Sequence, residues 1–169
     1  MLFLRFEIDG DAYALDARQI AEVLPLQPLK ALPAAPGWVA GLLAYHGVPV
    51  PVVDVSALST GHAAVWRIST RLVLVNYRPA AGGRRLLGLI LERAATVVRY
   101  APGAFVDSGV RTPHARFLGP VAVDHAIDQT MTEASAATTG DARLIQRIDV
   151  DELLGDTVRE LLFAATLDR

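Results

Sequence analysis

Histidine is the side chain here with the widest range of possible chemistry, because imidazole binds metals and moves protons near neutral pH. The four histidines are scattered along the chain, at His46, His62, His114 and His125. None has a second histidine at metal-ligand spacing or an accompanying carboxylate pattern. Zinc sites need such grouped ligands, and the chain contains no cysteine. We therefore expect no metal site and no cofactor.

Other catalytic patterns are also missing from the sequence. There is no Gly-x-Ser-x-Gly elbow, phosphate-binding glycine loop or dinucleotide fingerprint. Gly82 and Gly83 are followed by two arginines, which is more typical of a solvated hairpin tip than of an anion site. Asp54 ends an apolar strand, where a carboxylate most often caps the following turn. We expect no catalytic residues, and hence a protein that is not an enzyme.

The amino-acid composition restricts the classes of partner that the protein is expected to bind. The formal net charge is −2, and the arginines form no basic stripe, so a nucleic-acid partner is not expected. Residues 1–8 carry charges within their apolar run, unlike a signal peptide or a membrane anchor. The lack of cysteine is compatible with a reducing compartment. These features predict a cytoplasmic protein without direct membrane insertion.

The N-terminal segment has the pattern of a β-hairpin. Apolar residues alternate with charged ones in residues 1–8, which predicts a strand with Arg5 and Glu7 facing water. Asp9 and Gly10 tolerate the positive φ of a tight turn. A return strand is expected at residues 12–15.

A short helix is predicted next. Asp16 followed by Gln19 fits an N-cap with a reciprocal partner, and Ile20 and Val23 would form the apolar face of this helix. Pro25 would end it. A proline-rich but ordered connection then leads to the following strands.

Two strands are predicted at residues 38–44 and 48–55, with Gly47 at the turn between them. Proline lacks an amide hydrogen, so Pro49 and Pro51 require one side of the second strand to lack a neighbour. This strand should lie at an edge or cross between sheets.

The remaining apolar runs indicate a meander of short strands at residues 71–77, 85–91 and 95–99, as in small barrels. Residues 121–141 show no consistent period and are interpreted as an insertion or mobile loop.

Residues 150–166 have one apolar stripe at helical spacing, which predicts a C-terminal helix. Docking of this helix on its own barrel is the favoured interpretation, and association with a partner or a second copy stays open.

Residues 37–54 resemble the signature of the CheW family, in which a Gly-apolar-apolar-x-x-Arg-Gly turn precedes a Pro-containing strand that ends in Asp. His46 stands where the family has Arg. The resemblance continues in residues 87–92, where Glu92 replaces Asp, and through residues 117–119 to a closing strand at residues 144–148. It covers most of the chain.

The resemblance implies an all-β fold of two intertwined SH3-like barrel lobes in a single domain spanning residues 1–169, with a short N-terminal helix and a C-terminal helix. It also implies a signalling adaptor that binds the regulatory domain of a CheA-like histidine kinase and the tip of a methyl-accepting-type receptor hairpin. Such an adaptor is recruited to receptor arrays in the cytoplasm. The departures from the family pattern at His46 and in residues 121–141 are compatible with a paralogue from an alternative chemosensory system, such as a surface-sensing one.

The family also suggests where partners bind. A Glu on its first helix and the Arg before the turn Gly lie close together, and these positions are Glu22 and His46 here. Histidine would turn a permanent cation into one that titrates near neutrality. The predicted partner-binding residues are Ile20, Glu22, Val23, Gly41, Leu42, Leu43, His46 and Gly47, with the apolar ones lining a groove for the receptor helix.

Two other functions remain open at this point. A small-molecule-binding or enzymatic barrel would need a pocket with convergent polar groups. A structural protein could self-associate through the terminal helix and open strand edges.

Overall fold

Antiparallel strands dominate the fold. The computed structural model describes residues 1–78, 82–124 and 143–163. Its strands are β1 (Leu2–Ile8), β2 (Asp11–Asp16), β3 (Ile20–Pro25), β4 (Val39–Tyr45), β5 (Val48–Asp54), β6 (Arg71–Tyr77), β7 (Arg85–Arg99), β8 (Leu118–Val123) and β9 (Leu144–Ile148). A 3-10 helix (Ala17–Gln19) and two α-helices, α1 (Val55–Thr60) and α2 (Asp156–Leu162), complete these residues. The predicted all-β class is confirmed.

The strands form two lobes that share β7. In the first lobe, β6 lies between β3 and the first half of β7, which also pairs with β5, and β5 pairs with β4. In the second lobe, β1 lies between the second half of β7 and β2, and β9 joins β2 to β8. Each lobe therefore contains five of the described strands, with β7 counted in both, and the chain passes between lobes more than once.

Three apolar clusters form the core of the described residues, one inside each lobe and one between the lobes. The first lobe encloses Leu43, Val50, Val52, Ala64, Leu72, Leu74 and Ile90. The second lobe encloses Phe3, Ala12, Ala14, Tyr100, Ala122 and Ile145. The largest cluster, here called the inter-lobe core, takes side chains from both lobes, including Phe6, Leu15, Val73, Leu89 and Ile148. Burial of this shared core makes the two lobes one packed unit.

β7 differs from the prediction, which divided it into two strands at residues 85–91 and 95–99. It is a single strand of 15 residues. Arg93 has a positive φ of 49°, and the pairing register with β1 shifts between Arg5 and Glu7. A bulge of this kind bends a strand without ending it. The bend lets β7 serve both lobes.

The prediction of an N-terminal helix is wrong beyond the first turn, because the chain continues as strand β3. The Asp16 carboxylate does cap a turn, since it accepts a hydrogen bond from the Arg18 backbone N–H at 2.9 Å. The turn is only the three-residue 3-10 helix, and Ile20 and Val23 then lie in β3, opposite Val75 and Val73 of β6. β-Branched residues suit a strand, and the partner strand outweighs the local cap.

The charged residues of β1 do not simply face water. Arg5 donates from Nη2 to Asp124 Oδ2 at 3.0 Å and from Nη1 to Glu7 Oε1 at 3.1 Å. Arg93 Nε lies 3.1 Å from the other Glu7 oxygen. Burial by itself lowers the pKa of Arg5, but the hydrogen bonds to the two carboxylates outweigh it and raise that pKa. These four side chains are called the Arg5 network below.

The α-helices also depart from expectation. Helix α1 was not predicted. It begins after Asp54, whose carboxylate accepts a hydrogen bond from the Ala57 N–H at 3.0 Å. This hydrogen bond confirms the predicted capping role of Asp54. Helix α2 begins at Asp156 instead of residue 150. Val150 and Leu154 are buried in the preceding turn, which explains the longer apolar pattern.

Two further predictions fall partly outside the described residues. Residues 121–123 of the predicted insertion belong to β8, because they pair with β9. Residues 125–141 of that insertion, and the end of the predicted helix from residue 164, lie outside the described part of the chain. Among the described helices, none has the length and apolar character needed to cross a bilayer.

Candidate protein-binding site

The β4–β5 hairpin carries the predicted turn. His46 and Gly47 have φ values of 47° and 76°, and both are exposed. Two consecutive positive φ angles match the twist of the flanking strands in a two-residue hairpin. Glycine adopts this conformation without penalty. The turn therefore presents the His46 imidazole to solvent.

Tyr45 separates the two charged positions that were predicted to pair. Its hydroxyl donates a hydrogen bond to Glu22 Oε2. Its ring centroid lies 4.3 Å from that of His46, with an interplanar angle of 82°. The described contacts include no ion pair between Glu22 and His46. The expected direct junction is thus replaced by a Glu22–Tyr45–His46 cluster, in which Tyr45 contacts both partners.

The hydrogen bond has an electrostatic consequence. It raises the pKa of Tyr45, because Glu22 stabilises the protonated hydroxyl and would repel a phenolate. It also connects β3 with β4, which are the two edges of the first lobe's sheet. Sequence reasoning missed Tyr45. The available signal was its position two residues after Leu43 on a strand, which places both side chains on one face.

The predicted groove residues do not form one surface. Leu43 is 3% exposed and lies inside the first lobe, so it is a core residue. Leu42 is half-buried and pairs with Pro51, on the opposite face of β4. Adjacent residues of a strand point to opposite faces, so these leucines cannot both line a groove. Ile20 packs against the inter-lobe core, whereas Val23 is 43% exposed.

Gly41 has a structural role. A Cβ at this position would lie 2.4 Å from the carbonyl oxygen of Lys30. Lys30 and Leu42 exchange two backbone hydrogen bonds, at 2.9 and 2.8 Å, so the proline-rich connection runs close against β4. Only glycine permits this approach, and Gly41 is itself buried beneath the connection.

A cleft beside the hairpin was not predicted. It has a volume of about 530 Å³ and is lined by Tyr45, His46, Val48, Pro49, Val50, Pro51, Arg84, Arg85, Leu86, Leu162 and Phe163. The lining combines apolar side chains with two guanidinium groups, a combination suited to an apolar segment that carries an acidic group. The described residues contain no group of side chains able to hold a metal ion.

The structure combines two β lobes with an exposed hairpin and an adjoining cleft of apolar and cationic side chains. Residues 2–158 match the family model of the CheW-like domain, and the chain belongs to this family. The match confirms the resemblance drawn from residues 37–54. Members of the family are non-catalytic adaptors of chemotaxis signalling.

A solved structure shares the fold. The scaffolding protein TtCheW from Thermoanaerobacter tengcongensis superposes with a TM-score of 0.70 at 16% identity, covering 91% of this chain and 87% of that chain. At this identity the likeness concerns the fold alone. No curated protein sequence matches this chain.

Proposed function

We propose that this chain is a non-enzymatic adaptor that couples the cytoplasmic tip of a chemoreceptor to the regulatory domain of a CheA-like histidine kinase. The carrying observation is the CheW-like family match over residues 2–158, which includes both lobes. The protein would act in the cytoplasm, within receptor arrays.

The receptor helix would contact the surface around the β4–β5 turn. Val23 of β3 and Leu42 of β4 would supply partly exposed apolar side chains for this contact. The polar Glu22–Tyr45–His46 cluster lies beside this surface, because Glu22 and Tyr45 point to the opposite faces of β3 and β4. Gly47 shapes the turn. The other predicted residues, Ile20, Gly41 and Leu43, would support this surface from within the fold.

The mechanism is positional, because an adaptor of this kind makes and breaks no covalent bond. Holding receptor and kinase together raises their effective concentration. A receptor conformation that binds the adaptor more tightly then biases the kinase by the same coupling free energy.

His46 stands at the exposed turn where the family has arginine. Arginine is a permanent cation that binds carboxylates in a bidentate manner, so we expect His46→Arg to strengthen binding to a receptor surface that presents a carboxylate at this position.

The test is the substitution Leu42→Asp, measured by co-sedimentation with a receptor signalling fragment. A charged side chain at an apolar anchor should weaken binding by about 2 kcal/mol or more. Val97→Asp is the matched control, since Val97 is 61% exposed and lies in the second lobe. A folded Leu42→Asp protein that binds receptor as tightly as the parent would refute the receptor site. Retained binding of the kinase regulatory domain would show that the two partner sites are separate.

A further inference from the structure

The cleft between the β4–β5 hairpin and the start of β7, called the Arg84 cleft below, is a gap within the sheet of the first lobe. Residues 52–54 of β5 pair with residues 88–90 of β7, whereas the segments that precede them on each strand are not paired with each other and line the cleft. A Cβ on Gly88 would lie 2.8 Å from Val52 Cγ2, so glycine lets the strands meet closely there. Beyond this junction the strands separate and leave room for a ligand.

The β5 wall of the Arg84 cleft lacks backbone donors at its prolines. Leu42 exchanges backbone hydrogen bonds with Lys30, on the side of β4 away from β5. Pro51 lies opposite Leu42 in a pair without mutual hydrogen bonds, so its backbone faces the cleft instead. Pro49, two residues earlier, faces the same way. An added polypeptide strand would find no amide hydrogen at these two positions, and a smaller ligand suits the gap better.

Most of the surface of the Arg84 cleft is apolar or aromatic. Val50 is 1% exposed, and Pro51 is also buried. Three rings line the cleft as well, those of Tyr45, His46 and Phe163. Its volume of about 530 Å³ lies within the range of roughly 300 to 1,000 Å³ found for small-molecule sites, which combine apolar walls with a few polar groups. These walls favour a ligand with an aromatic ring.

The charged groups of the cleft are cationic. Arg84 and Arg85 supply two guanidinium groups, and no carboxylate is among the lining residues. Neither arginine forms an ion pair or a side-chain hydrogen bond with the described part of the chain. Guanidinium groups bind carboxylates and phosphates through paired hydrogen bonds. The cleft therefore offers an anion two cations that are not engaged by described carboxylates.

A second cleft of about 240 Å³ adjoins the first and shares Arg84. It contains two further arginines, Arg18 and Arg78, and one carboxylate, Asp151. Arg18 already bonds a neighbouring carboxylate at 2.6 Å, and Asp151 accepts from the Arg78 backbone N–H at 3.0 Å. The other carboxylates of residues 149–160 line neither cleft. The guanidinium groups of Arg78 and Arg84 thus leave the adjoining cleft positive as well.

We propose that the Arg84 cleft binds a small aromatic anion, with its ring against the apolar wall and its carboxylate or phosphate group on Arg84 and Arg85. A carboxylate would be bound within this cleft, whereas a phosphate would also use Arg78 of the adjoining cleft. The site supplies the pocket with convergent polar groups that a small-molecule-binding barrel requires. It does not depend on the adaptor function, because binding is measured on the chain alone.

Amide NMR titration of the full chain tests the site with two pairs of probes, each pair differing in the anionic group. Naphthoate is compared with naphthalenemethanol, and adenosine monophosphate with adenosine. At least one of the two anions should give saturable shifts at the amides of Val50 and Leu86. Its neutral counterpart should bind about tenfold more weakly or not at all. Tighter binding of naphthoate assigns a carboxylate ligand, and tighter binding of the nucleotide assigns a phosphate.

Replacing both cleft arginines separates charge recognition from apolar contact. Arg84→Gln combined with Arg85→Gln should raise the dissociation constant of the bound anion about tenfold or more. Both residues are exposed, so the variant should keep the fold. Arg99→Gln is the matched control, because Arg99 is also exposed and ends β7 in the second lobe. The control should leave the affinity unchanged.

Absence of saturable shifts with both anions would overturn the proposal. Equal affinity of an anion and its neutral counterpart would also overturn it, since the cleft would then make apolar contacts only. The same conclusion would follow if the double variant bound the anion as tightly as the parent does.

Discussion

Tyr45 changes the chemistry expected at the hairpin. The predicted pair was an anion at Glu22 and a titratable cation at His46. In the structure the Tyr45 hydroxyl donates a hydrogen bond to the Glu22 carboxylate. Tyr45 contacts both Glu22 and His46, and the described contacts include no ion pair between these two residues. The consequence is a titration effect at Tyr45.

We expect Glu22→Gln to lower the pKa of Tyr45 toward its ordinary value, because a neutral amide no longer repels the phenolate. The folded-state pKa of Tyr45 is raised, so the contribution of this hydrogen bond to stability is fully present below the unfolded value of about 10. It is lost as pH rises through the folded pKa. NMR titration of the tyrosine rings measures this shift, with the Tyr45 signals assigned by Tyr45→Phe. Equal midpoints in the parent and Glu22→Gln would contradict the assignment.

Gly41 offers a second test at the level of one residue. Gly41→Ala would place a methyl group against the Lys30 carbonyl at a φ of 140°. Strained backbone of this kind costs about 1 to 3 kcal/mol of unfolding free energy. Urea denaturation measures the loss. Gly37→Ala is the control, because its Cβ would meet no atom within 4 Å; equal losses in both variants would contradict the packing argument.

Helix α2 is short, and the segment before it carries much of the packing. Val150, Leu153 and Leu154 are at most 4% exposed and belong to the inter-lobe core. The helix adds half-buried contacts, including Val158, and places the Arg159 guanidinium 5.9 Å from the Tyr77 ring centroid. The preceding turn should therefore matter more to stability than the helix.

Two truncations separate these contributions. Ending the chain after residue 155 removes α2 but keeps the buried turn, and we expect a folded protein with a lowered melting temperature. Ending it after residue 149 also removes three buried side chains, each worth roughly 1.5 to 3 kcal/mol, which approaches the stability of a whole domain. This shorter protein should aggregate or fail to fold. Calorimetry compares them, and identical melting of both would contradict the assignment of the turn to the core.

The Arg5 network joins distant parts of the molecule. Asp124 follows β8, Arg5 and Glu7 lie on β1, and Arg93 marks the bend of β7. The Asp124 side chain has no exposed surface, and that of Arg5 is 14% exposed. Removing one member of a buried pair leaves the other charge poorly solvated.

We expect Asp124→Asn to destabilise the fold by about 3 kcal/mol, the lower end for breaking a buried ion pair, since Arg5 keeps Glu7. Denaturant unfolding at low and high salt measures this, and the loss should depend little on salt. Asp107→Asn is the matched surface control, because its pair with Arg111 spans 3.9 Å between exposed side chains. Its loss should stay below about 1 kcal/mol. A similar small loss in both variants would show that the Arg5 network contributes little.

Local pattern accounts for what was predicted. Period-two alternation located β1, because side chains of a strand alternate between core and solvent whatever the partner strand is. Short apolar runs bounded by turn residues located β4, β5 and β6, and the family resemblance located β9. The same local chemistry placed positive φ at Asp9, Gly10 and Gly47, and it identified the cap at Asp54. The family resemblance of residues 37–54 then supplied the two-lobed architecture.

Contacts between residues far apart in sequence decided the features that local pattern did not predict. Ile20 and Val23 look helical behind the Asp16 cap, but β6, some fifty residues later, pairs with them as a strand. Arg93 lies at the bend of β7, whose two halves pair with strands of different lobes. Leu42 and Leu43 share an apolar pattern, yet closure of the first lobe buries one and leaves the other outside. By itself, the sequence determined most of the strands, several turns and the family. The conformation of β3, the continuity of β7 and the surfaces available to partners depended on how the two lobes pack, because burial is a property of the assembled core.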